Sequence, residues 1–135
     1  TQVVFLGDKA IFPQNVRERM ELVEKNTAHY PRTLNVAVNY GSRDEIVHAV
    51  NTLIAQGKTE ITEDDITANL YTAHCPPPDL IVRTGSEQRL SNFLLWQAAY
   101  SEFYFCDTLW PDMDDAAVDA AVEAFYARKR RFGGV

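Results

Sequence analysis

The chain has 135 residues, 46% of them hydrophobic and 24% charged, which is the composition of an ordinary globular protein large enough to form a core. Its formal net charge of −6 argues against a nucleic-acid binder, because phosphate backbones select basic surfaces. It has no apolar run of membrane-spanning length, no signal-peptide pattern, and two cysteines, Cys75 and Cys106, without metal or redox spacing. A disulfide between them stays open, but two reduced thiols are favoured, and we expect a cytoplasmic protein.

The first part of the chain predicts strands and helices in alternation. Val3–Leu6 is a short apolar run that predicts a buried strand, and Pro13 begins a helix. The apolar face predicted for that helix consists of Val16, Met20 and Val23. Leu34–Tyr40 is rich in strand-forming residues and predicts a second strand.

A capping box is predicted where the second helix begins. Ser42 lies three residues before Glu45, a spacing that lets each side chain bond to the other's backbone at the start of a helix over 43–57. The apolar stripe predicted for this helix consists of Ile46, Val47, Val50, Leu53 and Ile54. Gly57 is expected to end the helix. A shorter helix is expected after Thr62, because three acidic residues follow it and favour the positive end of a helix dipole.

The second part of the chain continues the alternation. Leu80–Val82 predicts a buried strand, Ser91 is expected to begin an apolar helix, and Phe103–Cys106 predicts a fourth strand. A last helix is expected to be capped by Asp112, Asp114 or Asp115, and its predicted buried face consists of Val118, Val122, Phe125 and Tyr126. This order predicts an α/β fold, with a mainly parallel sheet flanked by helices on both faces, in a single domain over 1–135.

The residues that follow the predicted third strand are suited to binding an anion. Arg83, Gly85, Arg89 and Ser91 lie within nine positions. A guanidinium pairs two phosphate oxygens at once, and a helix beginning at Ser91 would add free backbone N–H groups. Ligand sites of open α/β sheets lie at such strand ends. The pattern therefore predicts a diphosphate site, with two solvated surface arginines as the alternative.

Other polar residues give weaker signals. The basic run R-K-R-R at 128–131 is typical of a helix end, where it complements the helix dipole. His29, His48 and His74 share no ligand spacing and are expected at the surface or its boundary. The chain has no glycine-rich phosphate loop, which argues against a generic nucleotide-binding domain.

Several long motifs match those of one enzyme family. They are V-F-L-G-D at 4–8, L-N-V-A-V-N-Y-G-S-R-D-E-I at 34–46, D-L-I-V-R-T-G-S-E-Q-R-L-S-N-F-L-L-W-Q at 79–97, Y-S-E-F-Y-F at 100–105, L-W-P-D at 109–112 and R-R-F-G-G at 130–134. Taken in order, these motifs resemble the cis-prenyltransferases, and most closely the bacterial undecaprenyl diphosphate synthases (isoprenyl transferases). The resemblance runs from the first residues to the last and implies an undecaprenyl diphosphate synthase-like fold.

The resemblance also implies an activity. Such transferases condense isopentenyl diphosphate with an allylic diphosphate, usually farnesyl diphosphate, and use Mg²⁺. The product is a long-chain polyprenyl diphosphate for synthesis of the cell-wall lipid carrier. The resemblance implies that Arg83, Arg89 and Ser91 bind the diphosphate of isopentenyl diphosphate, with backbone contacts from Leu90. Glu102 matches the glutamate that helps to hold the metal.

The same resemblance implies how the chain assembles. Arg131 and Gly133 match an R-x-G element that reaches the isopentenyl site across a dimer interface. A homodimer is therefore expected, with Trp96 and Phe103 as candidate interface residues. Peripheral association with the membrane, through the lipid product, is expected as well.

One part of the family pattern is not among the 135 residues. The family begins with a strand and a D-G-N-G-R-W-A-like motif whose aspartate is central to magnesium binding and catalysis. We therefore expect the C-terminal portion of a cis-prenyltransferase domain, without the N-terminal part of the fold, without a catalytic residue of its own, and inactive alone. A non-catalytic accessory subunit is the alternative, although the presence of Arg83, Arg89, Ser91 and Glu102 together favours the enzyme lineage.

Three residues depart from the family pattern. Ser42 and Ser86 each replace the second glycine of a glycine pair, which would cost backbone freedom if φ were positive there. Gln88 stands where some members carry a histidine, so it is not expected to bind a metal.

Overall fold

The computed structural model describes residues 1–128. They cluster into two compact units, Thr1–Pro76 and one that begins at Pro77, and each unit contains one pair of parallel strands. The predicted α/β class and parallel pairing are confirmed, while a single domain over 1–135 stays a prediction. Over 1–128, no helix combines the length and apolar character that crossing a membrane requires. Both cysteines are free thiols.

The first unit is built on strands β1 (Gln2–Leu6) and β2 (Thr33–Ala37), with helix α1 (Gln14–Thr27) between them in sequence and packed on β1. The pairing places Gln2 opposite Thr33 and Leu6 opposite Ala37. Helices α2 (Ser42–Ala55) and α3 (Glu63–Asn69) pack on each other. The buried apolar residues of this unit are Leu6, Ala49, Leu53 and Leu70.

Two side chains of α1 cover the outer edge of β1. Thr27 Oγ1 accepts the backbone N–H of Val3 at 2.9 Å, and Glu24 Oε1 accepts the backbone N–H of Phe5 at 2.8 Å. Both N–H groups are therefore paired without a third strand.

Gly7 lies where the loops after β1 and β2 meet. Its φ is +110°, and a Cβ placed on it would lie 2.2 Å from the carbonyl oxygen of Val38. Asn39 Nδ2 donates to the carbonyl oxygen of Asp8 at 3.0 Å in the same place. The two loops are thus held together at the carboxyl end of the strand pair.

The start of α2 differs from the prediction. The helix begins at Ser42 with Gly41 as its N-cap and no side-chain cap bond, so the predicted capping box is wrong. Glu45 instead points inward and is fully buried. Its Oε1 accepts the backbone N–H of Tyr71 at 2.9 Å, and its Oε2 accepts the hydroxyl proton of Tyr40. Because the Glu45 carboxylate is buried and bonded to Tyr40 and Tyr71, it does not cap the start of α2.

The end of α2 follows the prediction. Gly57, with φ of +81°, lies just beyond the C-cap, Gln56. The N–H of Gly57 bonds to Ile54 O at 2.9 Å, and the N–H of Lys58 bonds to Leu53 O at 3.1 Å. This bond pair is the Schellman motif.

The predicted apolar faces of the helices are partly wrong. The predicted face residues that the structure leaves exposed are Val23, Val47, Ile54, Val118, Val122 and Tyr126. Ala49 and Ala121 are buried instead. Small side chains at a packing contact let the helix axis approach its neighbour closely, and the larger residues then flank that contact.

The helix predicted after Thr62 is confirmed. Thr62 Oγ1 accepts the N–H of Asp65 at 3.2 Å, and Asp65 Oδ2 accepts the N–H of Thr62 at 3.0 Å. Lys58 Nζ donates to Asp65 Oδ1 at 2.7 Å. The bond from Lys58, followed by those from Thr62, lowers the pKa of the Asp65 carboxyl to about 2.

The second unit contains strands β3 (Leu80–Arg83) and β4 (Glu102–Phe105) and helix α4 (Asp115–Ala127), which packs against β4. Asp114 caps α4, as predicted among three candidates, because its side chain accepts the N–H of Ala117 at 2.8 Å. Two of the candidate site residues lie on these strands: Arg83 ends β3 and Glu102 begins β4.

Candidate functional site

Arg83 ends β3, and its side chain holds the loop that follows. Nη1 donates to Ser91 Oγ at 3.0 Å and to the backbone carbonyl oxygen of Arg89. The backbone of Arg83 is itself anchored, since its carbonyl oxygen accepts the N–H of Cys106 at 3.0 Å. A guanidinium carries five N–H groups, so Arg83 has donors besides these two. Three residues of the predicted diphosphate site are therefore brought together.

The segment after these arginines is not a helix. Residues 91–96 form turns and bends, and only Gln97–Tyr100 forms a short 3-10 helix. Ser91, Asn92 and Leu94 have φ values of 48°, 64° and 48°, in the left-handed region that a right-handed helix excludes. The helix predicted from Ser91 is wrong, and so is the expectation that its N-terminus binds the anion. The groups that remain at the candidate anion site are side chains.

The first turn of this loop is fixed to the segment after β4. The N–H of Gly85 bonds to Thr108 O at 3.0 Å, and the N–H of Ser86 bonds to Cys106 O at 3.0 Å. Ser86 has a φ of 68°, which lies in the left-handed region. Glycine adopts this conformation freely and serine does not, so the serine is unfavourable at this position. Ser42 lies inside helix α2 and carries no such cost.

Arg89 and Leu90 complete the set of predicted residues in this loop. The Arg89 side chain is 64% exposed and forms an ion pair with Glu87. An exposed ion pair contributes only about 0–1 kcal/mol, so the Arg89 guanidinium can be drawn to a stronger anion. Leu90 is half-buried.

Glu102 begins β4 and lies apart from the arginines. The strand register places Glu102 opposite Leu80, whereas Arg83 is opposite Phe105. Glu102 and Arg83 are therefore three residues apart along the strand direction, a distance of about 10 Å. Glu102 Oε2 is paired instead with Arg128 Nη1 at 2.7 Å. The structure does not bring Glu102 together with Arg83, Arg89 and Ser91.

Glu102 supplies the one carboxylate predicted for the magnesium site among the described residues. Within 1–128 no group of three or more His, Cys, Asp or Glu side chains is placed to hold a metal ion. Mg²⁺ is commonly held by one or two carboxylates together with substrate phosphates, so the single carboxylate of Glu102 fits this chemistry. Arg131 and Gly133 lie outside the described residues, and their predicted roles stay predictions.

An apolar cavity of about 200 Å³ lies between β3 and α4. The cavity is lined by Leu80, Val82, Thr84, Trp110, Met113, Val118, Ala121 and Val122. The sequence did not predict it, because the strand and helix patterns assigned four of these residues, Leu80, Val82, Val118 and Val122, to packed faces. Its volume is below the roughly 300–1,000 Å³ of typical small-molecule pockets.

Fold and site together define an α/β protein with an arginine-based candidate anion site at the end of a parallel strand. The family model for undecaprenyl diphosphate synthase (Prenyltransf) matches residues 1–133. The chain belongs to this family of prenyltransferases, as the sequence motifs predicted.

Curated relatives are similar over nearly the whole chain. The isoprenyl transferase of Chromobacterium violaceum is 52% identical over 129 residues, which cover 95% of this chain and 51% of that protein. The ditrans,polycis-undecaprenyl-diphosphate synthase ((2E,6E)-farnesyl-diphosphate specific) of Haemophilus ducreyi is 46% identical over 136 residues, covering 96% of this chain and 56% of that protein. The chain thus spans about half the length of the curated relatives that it matches.

Two solved structures share the fold. A probable undecaprenyl diphosphate synthase from Campylobacter jejuni superposes with a TM-score of 0.87 at 38% identity, covering 98% of this chain and 63% of that one. Lavandulyl diphosphate synthase from Lavandula x intermedia, in complex with dimethylallyl diphosphate, superposes with a TM-score of 0.90 at 32% identity, covering 98% and 60%. The predicted undecaprenyl diphosphate synthase-like fold is confirmed.

Proposed function

We propose that this chain carries the isopentenyl diphosphate site of a cis-prenyltransferase. The observation that supports it best is the pair of hydrogen bonds from Arg83 to Ser91 Oγ and to the Arg89 carbonyl oxygen. They bring the Arg83 guanidinium, the Ser91 hydroxyl and the backbone of Arg89 together at the end of a strand, in a chain whose relatives are named as isoprenyl transferases. The proposed reaction is condensation with an allylic diphosphate, and the family membership supports it.

Each residue has a distinct proposed role. Arg83 and Arg89 bind the diphosphate and fix its orientation, so that the alkene faces the allylic carbon. Ser91 Oγ accepts a hydrogen bond from Arg83, which leaves its own proton to donate to a phosphate oxygen. Leu90, which lies between Arg89 and Ser91 in the sequence, is proposed to contribute backbone contacts to the diphosphate.

Glu102 is proposed as the protein ligand of magnesium. The ion, when bound, supplies positive charge that stabilises the departing diphosphate. Because Glu102 and Arg83 lie at opposite ends of the strand pair, we propose that Glu102 serves the site of a second copy in a homodimer. Trp96 and Phe103 are the proposed interface residues, and Arg131 and Gly133 the proposed terminal element that crosses to the second copy.

The allylic substrate, the product and the cellular location are proposed from the relatives. The Haemophilus ducreyi protein is named as specific for farnesyl diphosphate, which makes this the proposed allylic substrate. A long-chain product, a cytoplasmic location and association with the membrane through that product are proposed on the basis of the family resemblance. The chain alone is proposed to be inactive, since the family's Asp-Gly-Asn-Gly-Arg-type motif is not in its sequence.

Calorimetry with isopentenyl diphosphate, with and without Mg²⁺, tests the site. Arg83→Ala and Arg89→Ala are each expected to weaken binding by roughly tenfold or more, because hydrogen bonds to charged groups contribute about 1.5–3 kcal/mol. Arg19→Ala, which removes an exposed arginine of α1, is the matched control and is expected to bind like the parent chain.

Three results would count against these proposals. Unchanged affinity in both site variants would remove the assigned site, and an equal loss in Arg19→Ala would indicate non-specific attraction. Polyprenyl synthesis by the 135-residue chain alone would refute its proposed inactivity. If the parent chain fails to bind isopentenyl diphosphate, the accessory-subunit alternative is favoured.

A further inference from the structure

The carboxylate of Glu102 is held by an arginine from the end of the last helix. Arg128 Nη1 donates to Glu102 Oε2 at 2.7 Å. Arg128 is the C-cap of α4, and Glu102 is the first residue of β4. The ion pair therefore joins the end of the helix to the start of the strand on which it packs.

Both backbones behind this ion pair are fixed. The N–H of Glu102 bonds to Asp79 O at 2.9 Å, and the N–H of Arg128 bonds to Phe125 O at 3.2 Å. The two side chains are partly exposed, at 27% for Glu102 and 43% for Arg128, so the pair contributes little to stability. Its effect is on the direction in which the carboxylate points.

We propose that Arg128 is a positioning residue for Glu102. By binding Oε2, it fixes the rotamer of Glu102 and presents Oε1 to a divalent cation bound with diphosphate. This inference rests on the proposed function, in which Glu102 is the metal ligand. Carboxylates that bind metals are themselves hydrogen-bonded, and loss of such a partner commonly lowers metal affinity about 10–100-fold.

The geometry favours positioning over competition. A guanidinium that blocked the carboxylate would be expected to take both oxygens in the fork geometry that arginine favours. Arg128 is bonded through Nη1 to Oε2. A guanidinium has donors and no acceptor, so Arg128 orients Glu102 without becoming a ligand of the cation.

Mn²⁺ is the probe that tests this role. The affinity for Mn²⁺ is measured by electron paramagnetic resonance of the unbound ion, with the 135-residue chain saturated with isopentenyl diphosphate. Arg128→Gln is expected to lower Mn²⁺ affinity about tenfold, within the range typical of such partners. Arg128→Lys, which keeps the charge and a donor, is expected to restore most of it. Arg19→Gln removes an exposed charge elsewhere and is expected to have no effect.

A separate readout distinguishes positioning from damage to the fold or to the diphosphate site. Affinity for isopentenyl diphosphate without metal is expected to be the same in Arg128→Gln as in the parent chain, whereas Arg83→Ala lowers it. Circular dichroism melting curves confirm that each variant is folded, and Arg128→Ala replaces Arg128→Gln as the loss variant if Arg128→Gln does not fold.

The outcomes distinguish failure of the positioning role of Arg128 from failure of the proposed function. Tighter Mn²⁺ binding in Arg128→Gln would show a competitor and overturn the proposal, and so would unchanged binding. Unchanged Mn²⁺ binding in Glu102→Gln would overturn it by removing the ligand. A parent chain that does not bind isopentenyl diphosphate would instead overturn the proposed function, and this inference with it.

Discussion

Glu45 of α2 accepts the backbone N–H of Tyr71 at 2.9 Å from a position without solvent exposure. Its other oxygen accepts the hydroxyl proton of Tyr40. One carboxylate therefore ties α2 to the loop before it and to the segment after α3.

Removing this carboxylate is predicted to destabilise the first unit. Glu45→Ala is expected to lower the free energy of unfolding by about 2–4 kcal/mol, because two partly buried donors lose the buried carboxylate that accepts from them. Glu45→Gln keeps an acceptor oxygen and is expected to cost about half as much. Urea denaturation measures both, with the exposed Glu60→Ala as control. Equal losses in Glu45→Ala and Glu60→Ala would contradict the role of burial.

Two glycines with positive φ are predicted to respond differently to alanine. Gly7→Ala would place a Cβ 2.2 Å from a backbone oxygen of Val38, whereas the space around Gly57 is open to 4 Å. Gly57→Ala is expected to cost about 1–2 kcal/mol from the left-handed conformation alone. Gly7→Ala is expected to cost on the order of 3 kcal/mol or more, since the two loops must also separate. Similar losses in urea denaturation would show that contact with Val38 is not what constrains Gly7.

Ser91→Ala is predicted to weaken binding of isopentenyl diphosphate. The change removes the acceptor for Arg83 and the hydroxyl proposed to face the diphosphate, and a loss of about tenfold is expected. Because the two side chains share one contact, Arg83→Ala with Ser91→Ala should lose less than the sum of the single losses. Calorimetry of all four proteins measures this coupling. Strict additivity would mean that Arg83 and Ser91 act independently.

The depressed pKa of Asp65 predicts a stability loss in acid. Its folded value is about 2, so the folded state favours the deprotonated carboxylate that Lys58 and Thr62 bind. The contribution is present above the unfolded pKa of about 3.9 and is lost as the pH falls from there toward the folded value. Asp65→Asn should therefore be less stable than the parent chain at pH 7, with the difference shrinking by about pH 2. A difference of equal size at both pH values would exclude this linkage.

Local signals in the sequence predicted much of the structure. The apolar run before Arg83 is a strand, and caps at Thr62 and Asp114 begin helices, because each depends only on neighbouring residues. The loop over 91–96 was missed because its apolar residues suggested helical packing. Asn92 was the available signal against a helix, since asparagine tolerates the left-handed conformation.

The position of Glu102 could not be predicted from spacing. Glu102 follows the arginine loop in sequence, but the parallel register of β4 returns it to the start of β3, opposite Leu80. Strand register depends on pairing between distant segments, which no local pattern contains. The ion pair with Arg128 depends on the same tertiary placement.

The coverage of β1 by α1 has a consequence for solubility. A strand edge with unpaired N–H groups is a template onto which another molecule can add a strand, and such addition leads to aggregation. Thr27 and Glu24 occupy the N–H groups of Val3 and Phe5, and Glu24 also places a carboxylate along that edge. An incoming strand would have to displace both hydrogen bonds and desolvate the charge. These two side chains therefore protect the first unit against edge-to-edge association.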